Sequence, residues 1–184
     1  GMESMTNAPY LLKKHRSGAR LGHDTTYDHM FLDGLEDAYE EGRAMGTFAQ
    51  ETANDYQMTR EEMDEYSIES LRRANAAIDS GAFADEVVPV TFSTRKGEVT
   101  VEHDEQPGKG RPDKIPQLRP AFAKDGTITA ATSSSISDGA AAVVLSRESV
   151  AKANGQQPVA KIVAMAAHAQ EPAQFTVAPI GAIE

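Results

Sequence analysis

Three consecutive serines, residues 133–135, are the clearest candidates for nucleophilic chemistry in this chain. A serine hydrolase pairs such a serine with a histidine that takes its proton and a carboxylate that orients the histidine. His103 or His168 could act as the base. Asp104 or Asp138 could orient it. The sequence has no G-x-S-x-G motif, however, so it does not predict the strained turn that exposes such a nucleophile.

Glycines alternate with basic residues at Gly108-Lys109-Gly110-Arg111, and this combination suits an anion. There is no Walker A motif and no G-x-G-x-x-G motif. Lysine and arginine beside flexible glycines can still enclose a phosphate through charge and hydrogen bonds. The surrounding residues 107–124 include five basic residues and one acidic residue. This segment is therefore either an anion site or a solvated loop, and the sequence leaves both open.

Neither a metal centre nor a paired-carboxylate glycosidase site is predicted. His15, His23 and His29 lack the i, i+4 spacing of a helical metal pair, so surface or locally bonded positions are expected. Adjacent acidic residues fall at predicted helix starts and in loops, where carboxylates are usually solvated. The chain has no cysteine. Disulfides, thiolate zinc sites and a cysteine nucleophile within the chain are thereby excluded.

Composition sets broad limits on the kind of protein. The 184 residues suffice for one domain, or for one and a part. A net charge of −10 argues against a nucleic-acid partner. No apolar stretch approaches the ~18 residues of a membrane span. No signal peptide is visible, so a cytoplasmic location without membrane attachment is expected.

The serines lead into the stretch that should position them. After Asp138-Gly139, residues 140–145 are entirely apolar, which predicts a strand buried on both faces. Loops that meet such strands often bind ligands in α/β proteins. Residues 119–146 are therefore predicted to be a ligand loop followed by a core strand, with a solvated connection as the alternative.

One helix has the clearest pattern in the chain. Thr59 and Glu62 form a capping box at its start, and Gly81 supplies a left-handed stop. The apolar stripe along it predicts core packing with no ligand role, and its members are Met63, Ser67, Leu71, Ala74 and Ile78.

The other elements follow from turn and capping signals. A helix is predicted over 28–42, and a second over 47–57 with Thr47 as its cap. Strands are predicted over 87–93, 98–102 and 158–167, a short helix over 147–154, and an irregular connection over 104–120. The helix start at Ala178-Pro179 has no predicted helix behind it. These few strands cannot complete a parallel sheet, so an α/β piece of a larger fold is expected.

Motifs along essentially the whole chain resemble the thiolase family, most closely its bacterial acetyl-CoA acetyltransferases and 3-ketoacyl-CoA thiolases. They are Met45-Gly46-Thr47, residues 59–62, residues 81–90, residues 118–122, residues 125–130 and residues 137–142. The resemblance implies a partial thiolase fold of the α/β class. A helical and irregular loop domain would accompany an incomplete core sheet of the αβαβα thiolase architecture. Residues 1–8 would end the N-terminal core domain, 9–134 would form a coenzyme-A-binding loop domain, and 135–184 would return to the core.

The resemblance also implies an activity for the whole thiolase. Thiolases join or cleave acyl groups on coenzyme A thioesters by Claisen chemistry, with two cysteines and a histidine as catalytic residues. By the resemblance these residues lie before Gly1 and after Glu184, so the segment alone is expected to be inactive. The expected partners are acyl-CoA as substrate, the remainder of the thiolase chain and further copies in a homo-oligomer. A role in fatty acid metabolism without a separate cofactor is also expected. The alternative is a stand-alone, non-catalytic module that binds coenzyme A or a partner.

Contacts to coenzyme A are the site residues that the resemblance implies. Ser134 matches the serine that bonds the pantetheine arm. Pro107 occupies the family's basic position, so Lys109 or Arg111 would have to meet the phosphates. An apolar slot suits a long flexible arm. The positions that match this slot and the adenine site are Leu35, Met45, Leu118, Phe122 and Ala130.

Overall fold

The computed structural model describes residues 1–184, and they divide into two compact units. Unit one comprises residues 1–52 and 135–184, and unit two comprises residues 53–134. The predicted domain boundaries at 8/9 and 134/135 stay a prediction. No helix is long and apolar enough to span a membrane. The strands are β1 (Met2–Ser4), β2 (Tyr10–Leu12), β3 (Thr26–Asp28), β4 (Val90–Thr94), β5 (Gly97–Val101) and β6 (Asp138–Ala140). The α-helices are α1 (Met45–Asp55), α2 (Arg60–Asp79), α3 (Glu105–Lys109), α4 (Glu148–Ala153) and α5 (Ala178–Ile183).

Unit one contains two small antiparallel sheets. Strand β1 pairs with β6, with Met2 opposite Ala140, and β2 pairs with β3. The Asp138 carboxylate accepts hydrogen bonds from the Thr6 hydroxyl at 2.6 Å and the Thr6 backbone N–H at 2.9 Å. These side-chain bonds add to the three-residue ladder between segments that lie far apart in the chain.

The core of unit one forms around Phe48 on α1. This side chain is 1% exposed, and its ring meets the Phe175 ring edge-on with centroids 5.9 Å apart. The Arg43 guanidinium lies 3.8 Å from the centroid of the Phe48 ring. The hydroxyls of Thr52 and Thr176 are hydrogen-bonded at 2.6 Å. Helix α1 and the segment around Phe175 therefore hold each other in place.

Two helix predictions in unit one are corrected. Helix α1 begins at Met45, so Thr47 lies inside it, and the Thr47 hydroxyl donates to the Ala44 carbonyl at 2.7 Å. The prediction of Thr47 as a cap is therefore wrong. The helix expected over 28–42 is a π-helix over Met30–Leu35 only.

Helix α4, followed by Gly155 with φ +67°, confirms the short helix expected over 147–154. At the C-terminal end, Ala178-Pro179 does begin a helix, α5, because proline fits the first turn, where its missing N–H needs no partner.

The predicted buried strand over 140–145 is wrong for this chain. Only Ala140 belongs to a strand, and Val144, at 92% exposure, typifies residues 141–145. The strand expected over 158–167 is likewise absent, and its apolar side chains are exposed. A strand needs neighbours for its backbone hydrogen bonds. Ala140 pairs with Met2 and Ala141 bonds to Gly1, but no strand pairs with residues 142–145 or 158–167.

Unit two is built on α2, which confirms its predicted ends. The Thr59 hydroxyl accepts from the Glu62 backbone N–H at 3.2 Å, and the Glu62 carboxylate accepts from the Thr59 N–H at 2.9 Å. Gly81 has φ +69° directly after the helix. Each terminus is therefore set by its own residues, as the capping rules predict.

The rest of unit two is a hairpin and a pair of short helices. Strands β4 and β5 pair antiparallel with Val90 opposite Val101, which confirms the predicted hairpin. The irregular connection expected over 104–120 is wrong in part. The Asp104 carboxylate accepts from the Gln106 N–H at 3.0 Å and caps α3, and a 3₁₀ helix follows at Pro112–Gln117. Pro112 begins the 3₁₀ helix, because proline is favoured at the first position of a helix as well as in loops.

Candidate functional site

An open groove of about 930 Å³ runs along α2 within unit two. One wall is a face of α2, a second is the start of α3, and the floor is Ile128 with residues 131–134. Its volume falls within the range of about 300–1,000 Å³ that is typical of small-molecule sites. The groove is therefore the candidate functional site.

The α2 wall consists of the helix face that the sequence assigned to core packing. Met63, Ser67, Leu71 and Ala74 all line the groove and are half-buried. The Ser67 hydroxyl donates to the Met63 carbonyl at 2.9 Å, so its donor is used within the helix. The prediction of a closed core face is thus wrong for these four residues. An apolar stripe with a period of 3.6 residues looks the same whether it faces a core or a groove.

Hydrogen bonds around Thr129 hold the floor, and the serines beside it differ in exposure. Thr129 is fully buried, and its carbonyl accepts from the Ser133 hydroxyl at 2.8 Å and the Thr132 hydroxyl at 3.2 Å. The Ser135 hydroxyl is hydrogen-bonded to that of Ser137 at 2.9 Å. Ser134 is exposed and lines the groove. Among Ser133, Ser134 and Ser135, only Ser134 both lines the groove and is exposed.

The carboxylates on the groove, Glu62 and Asp104, both serve as helix caps. The pKa of Glu62 lies below its ordinary value because the Thr59 backbone N–H and hydroxyl donate to the charged form. A charged Glu62 makes this rim of the groove anionic. A ligand with phosphates would therefore place them away from it.

Basic residues begin just beyond the groove. Pro107 lines the groove, and Lys109 ends α3 two residues later. The Lys109 Nζ lies 3.6 Å from the Glu105 carboxylate, and the Arg111 Nη1 donates to the Gly110 carbonyl at 3.2 Å. Both basic side chains are exposed, so they can turn toward an anion without losing a buried partner.

The eight predicted contact residues do not all meet in one place. Ser134 lines the groove. Five others, Lys109, Arg111, Leu118, Phe122 and Ala130, belong to the same unit but are not in its lining. Leu35 ends the π-helix and Met45 begins α1, both half-buried in unit one. Their assignment as a coenzyme A site stays a prediction.

The geometry supports neither a serine–histidine catalytic pair nor a metal site. No serine of 133–135 is hydrogen-bonded to a histidine. His103 is exposed with its Nε2 3.9 Å from the Glu102 carboxylate, and the His168 ring lies against Gly181. His15 is hydrogen-bonded to Asp24 at 3.2 Å, in agreement with the locally bonded position predicted for it. No group of three histidines or carboxylates could hold a metal ion.

Sequence reasoning missed the ion pair between Arg60 and Asp64 on α2. The Arg60 Nε lies 2.8 Å from Asp64 Oδ2, and Asp64 is buried. Opposite charges four residues apart were a signal for a helical pair. Nothing in the sequence, however, indicated that this pair lies in the interior rather than in solvent.

The profile described as "Thiolase, N-terminal domain" matches residues 1–149, and the chain belongs to the thiolase family. It is similar to the acetyl-CoA acetyltransferase of Yarrowia lipolytica, with 45% identity over 183 residues that cover 100% of this chain and 45% of that protein. A mitochondrial acetyl-CoA acetyltransferase of Gibberella zeae is 42% identical over 187 residues, covering 100% of this chain and 43% of that protein. The chain spans less than half the length of these relatives.

A solved structure agrees with the sequence relationship. The crystal structure of the Bacillus anthracis acetyl-CoA acetyltransferase superposes with a TM-score of 0.89 at 39% identity, covering 100% of this chain and 46% of that one. The predicted α/β class and partial thiolase fold, with helices and sheet mixed, are therefore confirmed.

Proposed function

We propose that this chain is a segment of an acyl-CoA acyltransferase, and that the segment supplies coenzyme A binding. The whole thiolase would catalyse Claisen condensation or thiolysis of acetyl-CoA or 3-ketoacyl-CoA. The observation that supports the binding role is the groove along α2, with its half-buried apolar wall and exposed Ser134. Membership of the thiolase family supports the reaction class.

The groove suits the two ends of coenzyme A differently. The pantetheine arm is long and flexible, with two amides and a hydroxyl among apolar groups, so it suits an apolar wall with a few polar contacts. Ser134 would supply one such contact. The phosphates need cations, and Lys109 and Arg111 stand just beyond the groove, on the segment that follows Pro107. Leu35, Met45, Leu118, Phe122 and Ala130 complete the proposed contact set.

The covalent chemistry is proposed to reside elsewhere in the thiolase. Thiolases accept the acyl group on a cysteine, and this chain has none. We expect the 184-residue chain alone to be inactive, with the remainder of the thiolase chain as its partner. No cofactor is proposed beyond coenzyme A as part of the substrate.

The cellular setting belongs to the same proposal. It comprises a cytoplasmic location, a homo-oligomer and a role in fatty acid metabolism. The mitochondrial name of the Gibberella zeae relative makes location the first of these to examine. Fractionation of cells that express the natural gene, followed by immunoblotting, would distinguish a cytoplasmic from an organellar protein.

Calorimetric titration of the chain with coenzyme A tests the binding role. We expect measurable binding, a loss of about 5- to 10-fold for Ser134→Ala and a larger loss for Lys109→Ala/Arg111→Ala. Ser135→Ala is the matched control because its hydroxyl is bonded to Ser137 and faces no groove. Unchanged coenzyme A affinity in both Ser134→Ala and Lys109→Ala/Arg111→Ala would contradict the proposed site.

Turnover assays test the segment hypothesis separately. The chain alone should not cleave acetoacetyl-CoA with free coenzyme A, and turnover by the purified chain would contradict its proposed inactivity. Co-expression with the flanking parts of a thiolase should then restore activity. Binding without restoration would favour the stand-alone, non-catalytic module.

A further inference from the structure

Arg60, in the first turn of α2, bonds to three groups in unit two at once. Its Nε donates to Asp64 Oδ2 at 2.8 Å, and its Nη2 donates to the carbonyls of Leu118 at 2.9 Å and Ile115 at 3.1 Å. The Arg60 side chain is 20% exposed and that of Asp64 is 7% exposed. A planar guanidinium with five donors can serve a carboxylate and two carbonyls together, whereas a lysine ammonium has no such fork.

The two carbonyls lie at the C-terminal end of the 3₁₀ helix Pro112–Gln117. The Ile115 carbonyl also accepts from the Leu118 backbone N–H at 3.2 Å, and a cation at the C-terminal end of a helix is favourable. Ile115 is itself buried, so this end of the helix is fixed by packing as well as by Arg60. Arg60 therefore fastens the far end of the basic segment, defined here as residues 109–119, to helix α2.

At the near end of the basic segment, the backbone of Gly110 packs closely against Leu71 of α2. A Cβ at Gly110 would lie 2.5 Å from Leu71 Cδ2, so the backbone here packs directly against the Leu71 side chain, which would have to move for any larger residue. Leu71 is one of the residues that line the groove. Lys109 and Arg111 flank Gly110, and they thus stand on a backbone that is held against α2 at both ends.

A contribution to stability does not by itself explain the buried ion pair between Arg60 and Asp64. Asp64 Oδ1 is buried without a hydrogen-bond partner. A buried ion pair with an unsatisfied oxygen contributes little net stability compared with apolar residues of the same size. Arg60 is distinguished instead by its hydrogen bonds to the backbone carbonyls of Ile115 and Leu118.

We infer that Arg60 is a positioning residue for phosphate recognition, acting through the backbone of the basic segment to place Lys109 and Arg111. This inference rests on the proposed function and adds that the phosphate end of coenzyme A, rather than the pantetheine end, depends on Arg60. Cations on a fixed backbone lose less conformational entropy when they close on an anion. The same two cations on a loose loop would bind the same phosphates more weakly.

The test compares coenzyme A with pantetheine, which carries no phosphate, as calorimetric ligands of the 184-residue chain. Arg60→Gln should weaken coenzyme A binding about tenfold and change pantetheine binding by less than about twofold. Arg60→Lys should recover only part of the loss, because a lysine cannot hold Asp64 and both carbonyls. Arg60→Met/Asp64→Leu removes both charges together, so it is expected to fold even if Arg60→Gln leaves Asp64 too costly to bury.

A double-mutant cycle supplies a measurement that a merely structural role would not change. In a chain that already carries Lys109→Ala/Arg111→Ala, substitution of Arg60 should cause no further loss of coenzyme A affinity. A further loss of the full size, or an equal loss for pantetheine, would overturn the positioning role. So would full coenzyme A affinity in a folded Arg60 variant. Failure of the unsubstituted chain to bind coenzyme A would instead refute the proposed function, and the inference with it.

Discussion

Helix α2 and the two predicted strands at residues 140–145 and 158–167 both follow from sequence patterns but reach opposite outcomes. Helix α2 forms over its full predicted length, whereas residues 142–145 and 158–167 pair with no strand and expose their valines. A helix makes its backbone hydrogen bonds within itself, and a strand must find them on a neighbour. The difference shows which kinds of structure this chain can specify alone.

The largest expected effect tests whether burial, rather than apolar character, decides stability. Phe48→Ala should lower the free energy of unfolding by about 3–5 kcal/mol, because it removes a buried ring that contacts Phe175. Val144→Ala is the matched control on an exposed apolar segment and should change it by less than about 0.5 kcal/mol. Urea denaturation of both variants measures the two values. A comparable loss at Val144 would show that the segment is packed in solution.

A second prediction separates a real cap from an apparent one. Thr59→Ala should cost about 1 kcal/mol, because it breaks the reciprocal capping box with Glu62. Thr47→Ala should cost less than half as much, since Thr47 lies inside α1 and its hydroxyl serves a carbonyl within the first turn. Thermal unfolding followed by circular dichroism gives both values. Equal losses would mean that capping does not set where these helices begin.

A third prediction concerns the pH dependence of the β1–β6 sheet. Hydrogen bonds from the Thr6 hydroxyl and backbone N–H hold the pKa of Asp138 below its ordinary value of 3.8. The folded state therefore binds this proton less readily than the unfolded state. The resulting stabilisation is present above pH 3.8 and is lost as the pH falls through the lowered pKa.

The carboxylate of Asp138 can be tested by substitution. Asp138→Asn should flatten the acid limb of a plot of unfolding free energy against pH, with an effect smaller than that of Thr59→Ala. Asp125→Asn, at an exposed aspartate, is the control. An unchanged acid limb in Asp138→Asn would exclude Asp138 as its source.

The smallest expected effect lies on the outer surface of α2. Hydrogen bonds from the Arg72 side chain, and to a smaller extent from the Arg73 side chain, lower the pKa of Glu69 to about 2. The favourable interaction is complete above pH 4.5 and is lost as the pH falls toward 2. Because the three side chains are solvent-accessible, Glu69→Gln should produce only a slight loss of stability that disappears in high salt. A salt-independent loss would contradict this screened interaction.

The sequence predicted those parts of the fold that depend on nearby residues. The capping box at Thr59, the stop at Gly81 and the β4–β5 hairpin each depend on a few neighbouring residues, and each is confirmed. The strand at 140–145 was mispredicted because its pairing depends on another strand. The apolar stripe through Leu71 predicts a core face because a core face and a groove wall have the same sequence pattern.

In the candidate site, too, features that depend on nearby residues were predictable and contacts between distant residues were not. The Ser-rich stretch was identifiable, but only the geometry of Thr129 shows that Ser133 is used internally while Ser134 is exposed. The bonds of Arg60 to the carbonyls of Ile115 and Leu118 cross more than fifty residues of chain. No local pattern could predict such a contact from one sequence.

The antiparallel pairing of β1 with β6 has a consequence for the order of folding. Met2 and Ala140 are partners, and Ser4 and Asp138 end their ladder, so it closes a loop that runs from residue 5 to residue 137. The β4–β5 hairpin closes across only a few residues. Hairpins form within about 1–10 μs, whereas closing a long loop carries a larger entropic cost and contributes to slow folding. We therefore expect the amide hydrogens of Glu3 and Gly139 to gain protection from exchange last during refolding, after those of the hairpin.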